Sequence, residues 1–266
     1  MNDINEKNLY CNDARFYDLD DRPVTRIDIP FYLDHASSIA GDILELACGT
    51  GRVTLPLAHA GHRIWALEYS TPMVDCFREK LKALPREVSH RIHLFQGDMS
   101  RFFLKKTFPL ILLPCRAFQL LLDEELENTC LREIHGHLTS EGMFIIDIGR
   151  FIPDRENVDA WLSEESVLDW ENVDPKTGCH IQRTHINKEI DKARQIIFPR
   201  KTYRITRPDG TQETIVKRSP WRYFFEDQIK HLLVSNGFKI IREMGTYDGK
   251  STIHQGTEFI FICRKA

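Results

Sequence analysis

The sequence predicts an α/β protein built on a doubly wound, parallel sheet with helices on both faces. Short apolar strands alternate with helices along residues 31–150, and the alternation returns along residues 221–266. Strands that are apolar throughout are typical of a parallel sheet covered on both faces. A glycine-rich loop joins the first strand to the next helix, as in nucleotide-binding folds of this class. The 266 residues are enough for one large domain with an insertion.

The first half of the chain supplies five strands and their helices. Gly61 ends one helix in the usual C-terminal position, and Ser70-Thr71-Pro72 starts another with a hydroxyl cap and an early proline. Helices between successive strands suit the crossovers that a parallel sheet requires. The predicted strands are residues 42–46, 63–67, 91–96, 108–113 and 142–148, and the helices are residues 31–39, 52–60, 70–84 and 123–139.

The second half begins with a change of pattern after Phe151. Strand-like stretches follow one another without helices, and Pro208-Asp209-Gly210 is a turn between two of them. This predicts an antiparallel β insertion between the fifth strand and the last helix, which serves as a lid or a dimer interface. We therefore divide the chain into an N-terminal arm (1–30), a core (31–150 and 221–266) and the insertion (151–220). The insertion strands are residues 167–170, 180–190, 195–206 and 211–216, and a helix (225–235) and two strands (238–242 and 259–263) follow.

Bulk composition disfavours several classes of function. The net charge is -3 and the pI about 6.4, whereas proteins that bind nucleic acid usually carry a basic excess. The seven cysteines are scattered with no CxxC pair, so no zinc or other metal site is expected. The start of the chain lacks a signal peptide, and no apolar run approaches the ~20 residues of a membrane span. We expect a reduced, cytoplasmic protein with no membrane partner.

The glycine loop Glu45-Leu46-Ala47-Cys48-Gly49-Thr50-Gly51 is the main pointer to a ligand. A tight turn without a ligand and a dinucleotide site are the alternatives. The dinucleotide pattern requires a third small residue where this chain has Thr54, and a carboxylate at Glu45 would repel a pyrophosphate. S-adenosylmethionine carries an ammonium and a sulfonium instead of phosphate, so an acidic residue beside the loop favours it.

Two further acids complete a nucleoside site. Glu68 ends the second strand 17 residues after Gly51, where a carboxylate can accept hydrogen bonds from both ribose hydroxyls. Asp98, followed by Met99, ends the third strand and can accept from the adenine amino group. A surface glutamate and an ordinary loop aspartate remain the alternatives. Tyr69 and Met73 are placed to pack on adenine or to belong to the core.

Three segments resemble the successive motifs of class I S-adenosylmethionine-dependent methyltransferases: residues 43–52, 66–73 and 96–99. The resemblance covers residues 10–150 well and 221–266 moderately. It implies a seven-stranded sheet, mostly parallel with an antiparallel last strand, and S-adenosylmethionine as the cofactor, with S-adenosylhomocysteine as its product. The expected cofactor contacts are Glu45, Ala47, Gly49, Gly51, Arg52, Glu68, Tyr69, Met73, Asp98, Met99, Pro114 and Cys115.

The resemblance also concerns the arm and the ribose-binding acid. Tyr17-Asp18 is similar to a pair that many small-molecule members place before the core, where the tyrosine closes over the cofactor and the reacting groups. The sequence departs from the usual pattern at Glu68, since that acid is more often aspartate in the family.

The acceptor end is less specific. Pro114-Cys115-Arg116-Ala117-Phe118-Gln119 is not the Asn/Asp-Pro-Pro-aromatic motif of nucleobase amino methyltransferases. Pro114-Cys115 with Glu171-Asn172-Val173 copies fragments of cytosine-C5 methyltransferases, but the tripeptide lies in the insertion instead of the sheet core, so we reject that interpretation. The segment instead resembles small-molecule methyltransferases with a β-strand lid. In that setting Gln119 points at the acceptor, Arg116 holds the acceptor or the cofactor carboxylate, and Tyr247 belongs to a similar C-terminal segment.

Methyl transfer from a sulfonium needs alignment more than acid–base chemistry. Candidates for a base are Asp147, at the end of the fifth strand, and His185 in the insertion, although a histidine on a strand is often structural. The stretch from Lys192 to Arg207 contains six basic residues and no acidic residue. It is either a solvated strand face or, through Arg200 and Arg204, a site for an anionic acceptor.

The prediction is methyl transfer from S-adenosylmethionine to a nitrogen or oxygen of a small-molecule acceptor. The alternatives are a protein that binds the cofactor without turnover, and an RNA or protein methyltransferase. A homodimer through the insertion stays open.

Overall fold

The computed structural model describes residues 10, 13–22, 26–153 and 155–266. The core helices are α1 (Ile29–Ser37), α2 (Thr54–His59), α3 (Thr71–Lys82), α4 (Arg86–Ser89), α5 (Glu124–His137) and α6 (Glu226–Ser235). The core strands are β1 (Ile43–Leu46), β2 (Ile64–Glu68), β3 (Ile92–Gln96), β4 (Phe108–Leu113), β5 (Leu138–Gly149), β11 (Phe238–Met244) and β12 (Glu258–Lys265). The second sheet contains β6 (Val167–Val173), β7 (His180–Asp191), β8 (Ile196–Thr206), β9 (Gln212–Arg218) and β10 (Trp221–Arg222). Short 3-10 helices cover Ala14–Leu19, Ala117–Leu120 and Val158–Trp161.

The main sheet has seven strands in the order β11-β12-β5-β4-β1-β2-β3. β12 runs antiparallel to both neighbours, and the pairs among β1 to β5 are parallel. The predicted fold class is therefore confirmed, including the reversed last strand. The order reverses between β1 and β4, and open α/β sheets bind ligands at such a point, beyond the carboxyl ends of the strands.

The strands are buried on both faces, as their apolar sequences predict. Ile43 and Leu44 are adjacent in β1 and wholly buried, yet they belong to two different core clusters. Successive side chains of a strand point to opposite faces. One cluster includes Leu131 of α5 and Leu233 of α6, and the other includes Phe77 of α3.

The start of β5 differs from the sequence-based bound, whereas the cap of α3 is as predicted. β5 begins at Leu138, directly after α5, instead of at residue 142, because Leu138 pairs with Phe108 of β4. The predicted cap of α3 is present, since the Ser70 hydroxyl accepts from the Met73 amide at 3.5 Å.

The second sheet is antiparallel, in the order β10-β8-β7-β6 with β9 also paired to β8. Its last strand, β10, lies within the stretch assigned to the core from the sequence, because Trp221 and Arg222 pair with Ile197 and Ile196. Among the helices of the described ranges, none is long and apolar enough to cross a membrane. The two sheets face each other across the cavity described next.

Candidate functional site

One cavity of about 500 Å³ lies between the carboxyl ends of the core strands and the second sheet. That volume is within the range of sites that enclose a drug-sized ligand. Of the residues predicted from the sequence, twelve line it: Tyr17, Ala47, Gly49, Glu68, Tyr69, Met73, Asp98, Met99, Cys115, Arg116, Gln119 and His185. Eight are not among its lining residues: Glu45, Gly51, Arg52, Pro114, Asp147, Arg200, Arg204 and Tyr247.

Glu68 lies where β2 ends and is locked in place by backbone amides. Its Oε2 accepts from the Gly49 amide and its Oε1 from the Ser70 amide, both at 2.8 Å. Burial raises the pKa of this carboxyl, while the two amides oppose that rise. A carboxylate held at both oxygens has one further acceptor position on each. The geometry therefore suits a ligand with two adjacent hydroxyls.

Asp98 is oriented by its own loop after β3. Its Oδ1 accepts from the amide and the hydroxyl of Ser100, at 2.8 and 2.7 Å. Met73 and Met99, both buried, line the same part of the cavity. An acceptor oxygen beside two flexible apolar side chains matches the polar edge and the faces of a purine.

Glu45, expected as a cofactor contact, faces helix α2 instead. It is 1% exposed and accepts a hydrogen bond from the Thr54 hydroxyl at 2.6 Å. Burial raises its pKa to about 8, so the carboxyl is mostly protonated at neutral pH. The argument that a charge at Glu45 excludes a pyrophosphate therefore fails. Of the two glutamates, Glu68 lines the cavity and Glu45 does not.

Gly51 and Arg52 also serve the framework. Gly51 has a φ of +86°, and a Cβ there would lie 2.4 Å from the Phe77 ring, so packing and backbone conformation both require glycine. The Arg52 guanidinium makes a bidentate ion pair with Asp28, at 2.6 Å for both contacts. Gly51 and Arg52 therefore stabilise the fold around the glycine loop instead of lining the cavity.

The arm covers the glycine loop, as the Tyr17-Asp18 resemblance implies. Asp18 accepts from the Thr50 hydroxyl at 2.7 Å and pairs with Lys80 at 2.6 Å. The Tyr17 hydroxyl lies 3.8 Å from the Cys115 sulfur. These contacts fix the 3-10 helix of the arm across one mouth of the cavity.

The turn after β4 is strained and depends on Asp147. Cys115 and Arg116 both have positive φ, at 62° and 60°. Asp147, which is wholly buried, accepts from the Cys115 amide at 2.9 Å, from the Arg116 amide at 2.6 Å and from the Tyr32 hydroxyl. The predicted role of Asp147 as a base does not fit this geometry, because its oxygens already accept three hydrogen bonds behind the cavity wall.

Gln119, Arg116 and Tyr247 differ from their expected roles. The side-chain amide of Gln119 bonds to the backbone: it donates to the Arg222 carbonyl at 2.9 Å and accepts from the Gly149 amide at 2.8 Å. Arg116 pairs with Glu258. Tyr247 packs on Phe31, with ring centroids 5.7 Å apart. Gln119 and Arg116 thus border the cavity while making contacts within the protein.

His185 is the candidate base that does line the cavity. Its Nδ1 lies 2.8 Å from Asp169 Oδ1, and Arg183 Nε donates to Asp169 Oδ2 at 2.9 Å. Burial opposes ionisation of Asp169, but His185 and Arg183 lower its pKa to about 2, so it is a carboxylate at neutral pH. This fixed acid orients the imidazole and leaves Nε2 to accept a proton.

Sequence reasoning missed Asp169 and Arg183 and included Lys201 only as one of six basic residues; all three line the cavity on the side of the second sheet. Two-residue alternation along β7 and β8 was the available signal, since Arg183 and His185 share a face, and Lys201 pairs with His185. Arg200 and Arg204, the predicted anion contacts, are exposed.

The cytosine-C5 alternative gains nothing from the geometry. Glu171-Asn172-Val173 lies in β6 of the second sheet instead of the seven-stranded core sheet. In the described ranges, no group of three or more His, Cys, Asp or Glu side chains could hold a metal ion.

Comparison with known proteins agrees with this architecture. Residues 43–142 match the family model described as a methyltransferase domain. The cypemycin N-terminal methyltransferase of a Streptomyces species is 31% identical over 105 residues, which span 40% of this chain and only 40% of that relative.

Two solved structures share the fold over most of the chain. The CcbJ methyltransferase from Streptomyces caelestis has a TM-score of 0.78 at 19% identity, and the match covers 98% of this chain and 99% of that one. The glycopeptide N-methyltransferase MtfA complexed with S-adenosyl-L-methionine has a TM-score of 0.59 at 23% identity, covering 89% and 86%. Residues 43–142 therefore match a methyltransferase domain, and the chain as a whole shares the fold of these solved methyltransferase structures.

Proposed function

We propose that this protein transfers a methyl group from S-adenosylmethionine to a nitrogen or oxygen of a small-molecule acceptor. The observation that carries the proposal is that one cavity joins two chemically different halves. Glu68 and Asp98 form a nucleoside-binding half, and His185 and Lys201 belong to a polar half under the second sheet. A donor in the first half and an acceptor in the second would meet inside one enclosed space.

The residues of the first half fit the cofactor. Glu68 would accept from the two ribose hydroxyls and Asp98 from the adenine amino group, with Met73 and Met99 on the adenine faces. When bound, S-adenosylmethionine supplies a methyl group that its sulfonium already activates for displacement. The chain therefore needs to bind, orient and desolvate the reactants more than to activate them.

His185 is the residue we propose as the base. Most aliphatic amines are protonated at neutral pH and must lose a proton to expose the nucleophilic lone pair. His185 Nε2 would accept that proton while Asp169 holds Nδ1, so Asp169 acts as a positioning residue. Tyr17, across the cavity on the arm, would help to exclude water over the reacting atoms.

Nitrogen is the favoured target. Two of the proteins that this chain resembles are an N-terminal methyltransferase and a glycopeptide N-methyltransferase. An amine acceptor also gives the His185–Asp169 pair a proton to remove.

The test is incorporation of a labelled methyl group into amines and alcohols, assayed as matched pairs with the same carbon skeleton. We expect label in at least one amine, and we expect His185→Gln to lower kcat by about 10²-fold at neutral pH with much of the loss recovered at higher pH, because solvent then deprotonates the amine. The matched control is Thr184→Val, the adjacent position on the opposite face of β7, which should keep full activity. Cofactor binding with no label in any acceptor would favour the non-catalytic alternative.

A further inference from the structure

On the side of the second sheet, the cavity contains a lysine that forms no direct ion pair among the described residues. Lys201 of β8 lines the cavity directly opposite His185 in the β7–β8 register. Across the described part of the chain, its ammonium makes no ion pair and no hydrogen bond. Burial, followed by the positive charges of Arg183 and Lys217, lowers its pKa to about 8. A lysine in this position is costly to the folded protein unless a ligand compensates it.

The acids nearest to Lys201 are already engaged. Asp169 is bound by Arg183 and His185, and it lies within 3.7 Å of Arg22. Asp13 pairs with Lys217 at 2.5 Å and accepts from the Tyr203 hydroxyl at 2.8 Å. The protein therefore balances each neighbouring cation with a carboxylate and leaves none directed at Lys201.

Two buried polar atoms on the same wall also lack partners. Asn187 Oδ1 and Trp161 Nε1 form no hydrogen bond within the described ranges, and both residues line the cavity. Asn187 follows His185 by two residues on β7, so it shares the inner face of the second sheet. Unsatisfied buried polar groups of this kind favour a ligand that can pair with them and reject one that cannot.

We infer that Lys201 binds an anionic group of the methyl acceptor, with Trp161 Nε1 as a second donor to that group and Asn187 Oδ1 accepting from a hydroxyl or amino group of the same ligand. The inference rests on the proposed function and narrows its substrate class to acidic small molecules, which carry a carboxylate or phosphate besides the methylated group. Arg200 and Arg204, which the sequence suggested for this role, face solvent on the same strand.

The test measures anion binding to the complex with S-adenosylhomocysteine. Malonate represents a carboxylate source and inorganic pyrophosphate a phosphate source, and both are titrated calorimetrically at constant ionic strength. The variants are Lys201→Met and, as the matched control, Arg200→Met, which removes the same charge one residue away on the exposed face. We expect Lys201→Met to weaken at least one of the two anions by about tenfold or more, Arg200→Met to leave both unchanged, and Lys201→Arg to recover part of the affinity.

Three results would overturn the inference. The first is that neither anion binds the wild-type complex, and the second is that Lys201→Met binds both anions as tightly as the wild type. The third is that Lys201→Met weakens the binding of S-adenosylhomocysteine itself, which would assign the lysine to the cofactor. Failure of the proposed function looks different, because the wild type would then bind no S-adenosylhomocysteine or transfer no methyl group.

Discussion

Replacing Glu68 probes the nucleoside half of the cavity most sharply. Each carboxylate oxygen accepts one backbone amide at 2.8 Å, from Gly49 and from Ser70, and has one position left for a ribose hydroxyl. Glu68→Gln keeps the shape of the side chain but turns one oxygen into an NH2 group that faces an amide donor. The variant should therefore lose one charge-assisted hydrogen bond to the ligand outright and weaken the second.

Hydrogen bonds to charged groups contribute about 1.5–3 kcal/mol each, so losing one and weakening another should cost ~2–4 kcal/mol of binding free energy. That loss corresponds to a roughly 30- to 1,000-fold weaker Kd for S-adenosylhomocysteine. The assay is calorimetric titration, with unfolding midpoints measured to show that the variant is folded. Glu45→Gln is the matched control, because that carboxyl lies off the cavity. A change below threefold at Glu68, or equal losses at both glutamates, would refute the assignment of Glu68 as the ribose contact.

Three further outcomes follow from the buried network around the site. The pKa of Glu45 is about 8 in the folded protein against an ordinary value near 4.5, so its contribution to stability is full below pH ~4.5 and is lost as the pH rises to 8. In urea denaturation, the free energy of unfolding should therefore fall less between pH 4.5 and 8 for Glu45→Gln than for the wild type. Thr50→Val breaks the bond to Asp18 that fixes the arm, so S-adenosylhomocysteine affinity should fall, by up to about tenfold in calorimetry. Asp147→Asn should lower the free energy of unfolding by ~1–3 kcal/mol, measured by denaturant titration, since one of its oxygens becomes a donor facing donors.

The sheet could be predicted from the sequence because its strands are apolar on both faces and the loops between them carry strong turn residues. Glu68 was identified because it is a polar residue at the carboxyl end of a buried strand, and open α/β sheets bind ligands beyond those ends. The antiparallel direction of β12 was predicted only from the resemblance to class I methyltransferases. Its sequence could not show the direction, because β12 is as apolar as the parallel strands.

The direction of side chains near the strand ends could not be predicted in this way. Glu45 is placed in the sequence as a ligand contact would be, but the pleat of β1 turns it toward Thr54. Asp147, near the end of β5, accepts from the amides of the left-handed turn at Cys115 and Arg116. Gln119, in the 3-10 helix after that turn, bonds instead to the backbone of Gly149 and Arg222. Such partners are distant in sequence, so only the folded arrangement reveals them.

The most direct test of the central claim is calorimetric titration of the wild-type protein with S-adenosylhomocysteine and, separately, with NAD. The account predicts binding of S-adenosylhomocysteine at one site per chain and no heat with NAD, because Thr54 stands where the dinucleotide-binding loop requires a third small residue. Binding of NAD, or no binding of S-adenosylhomocysteine by the folded protein, would contradict it.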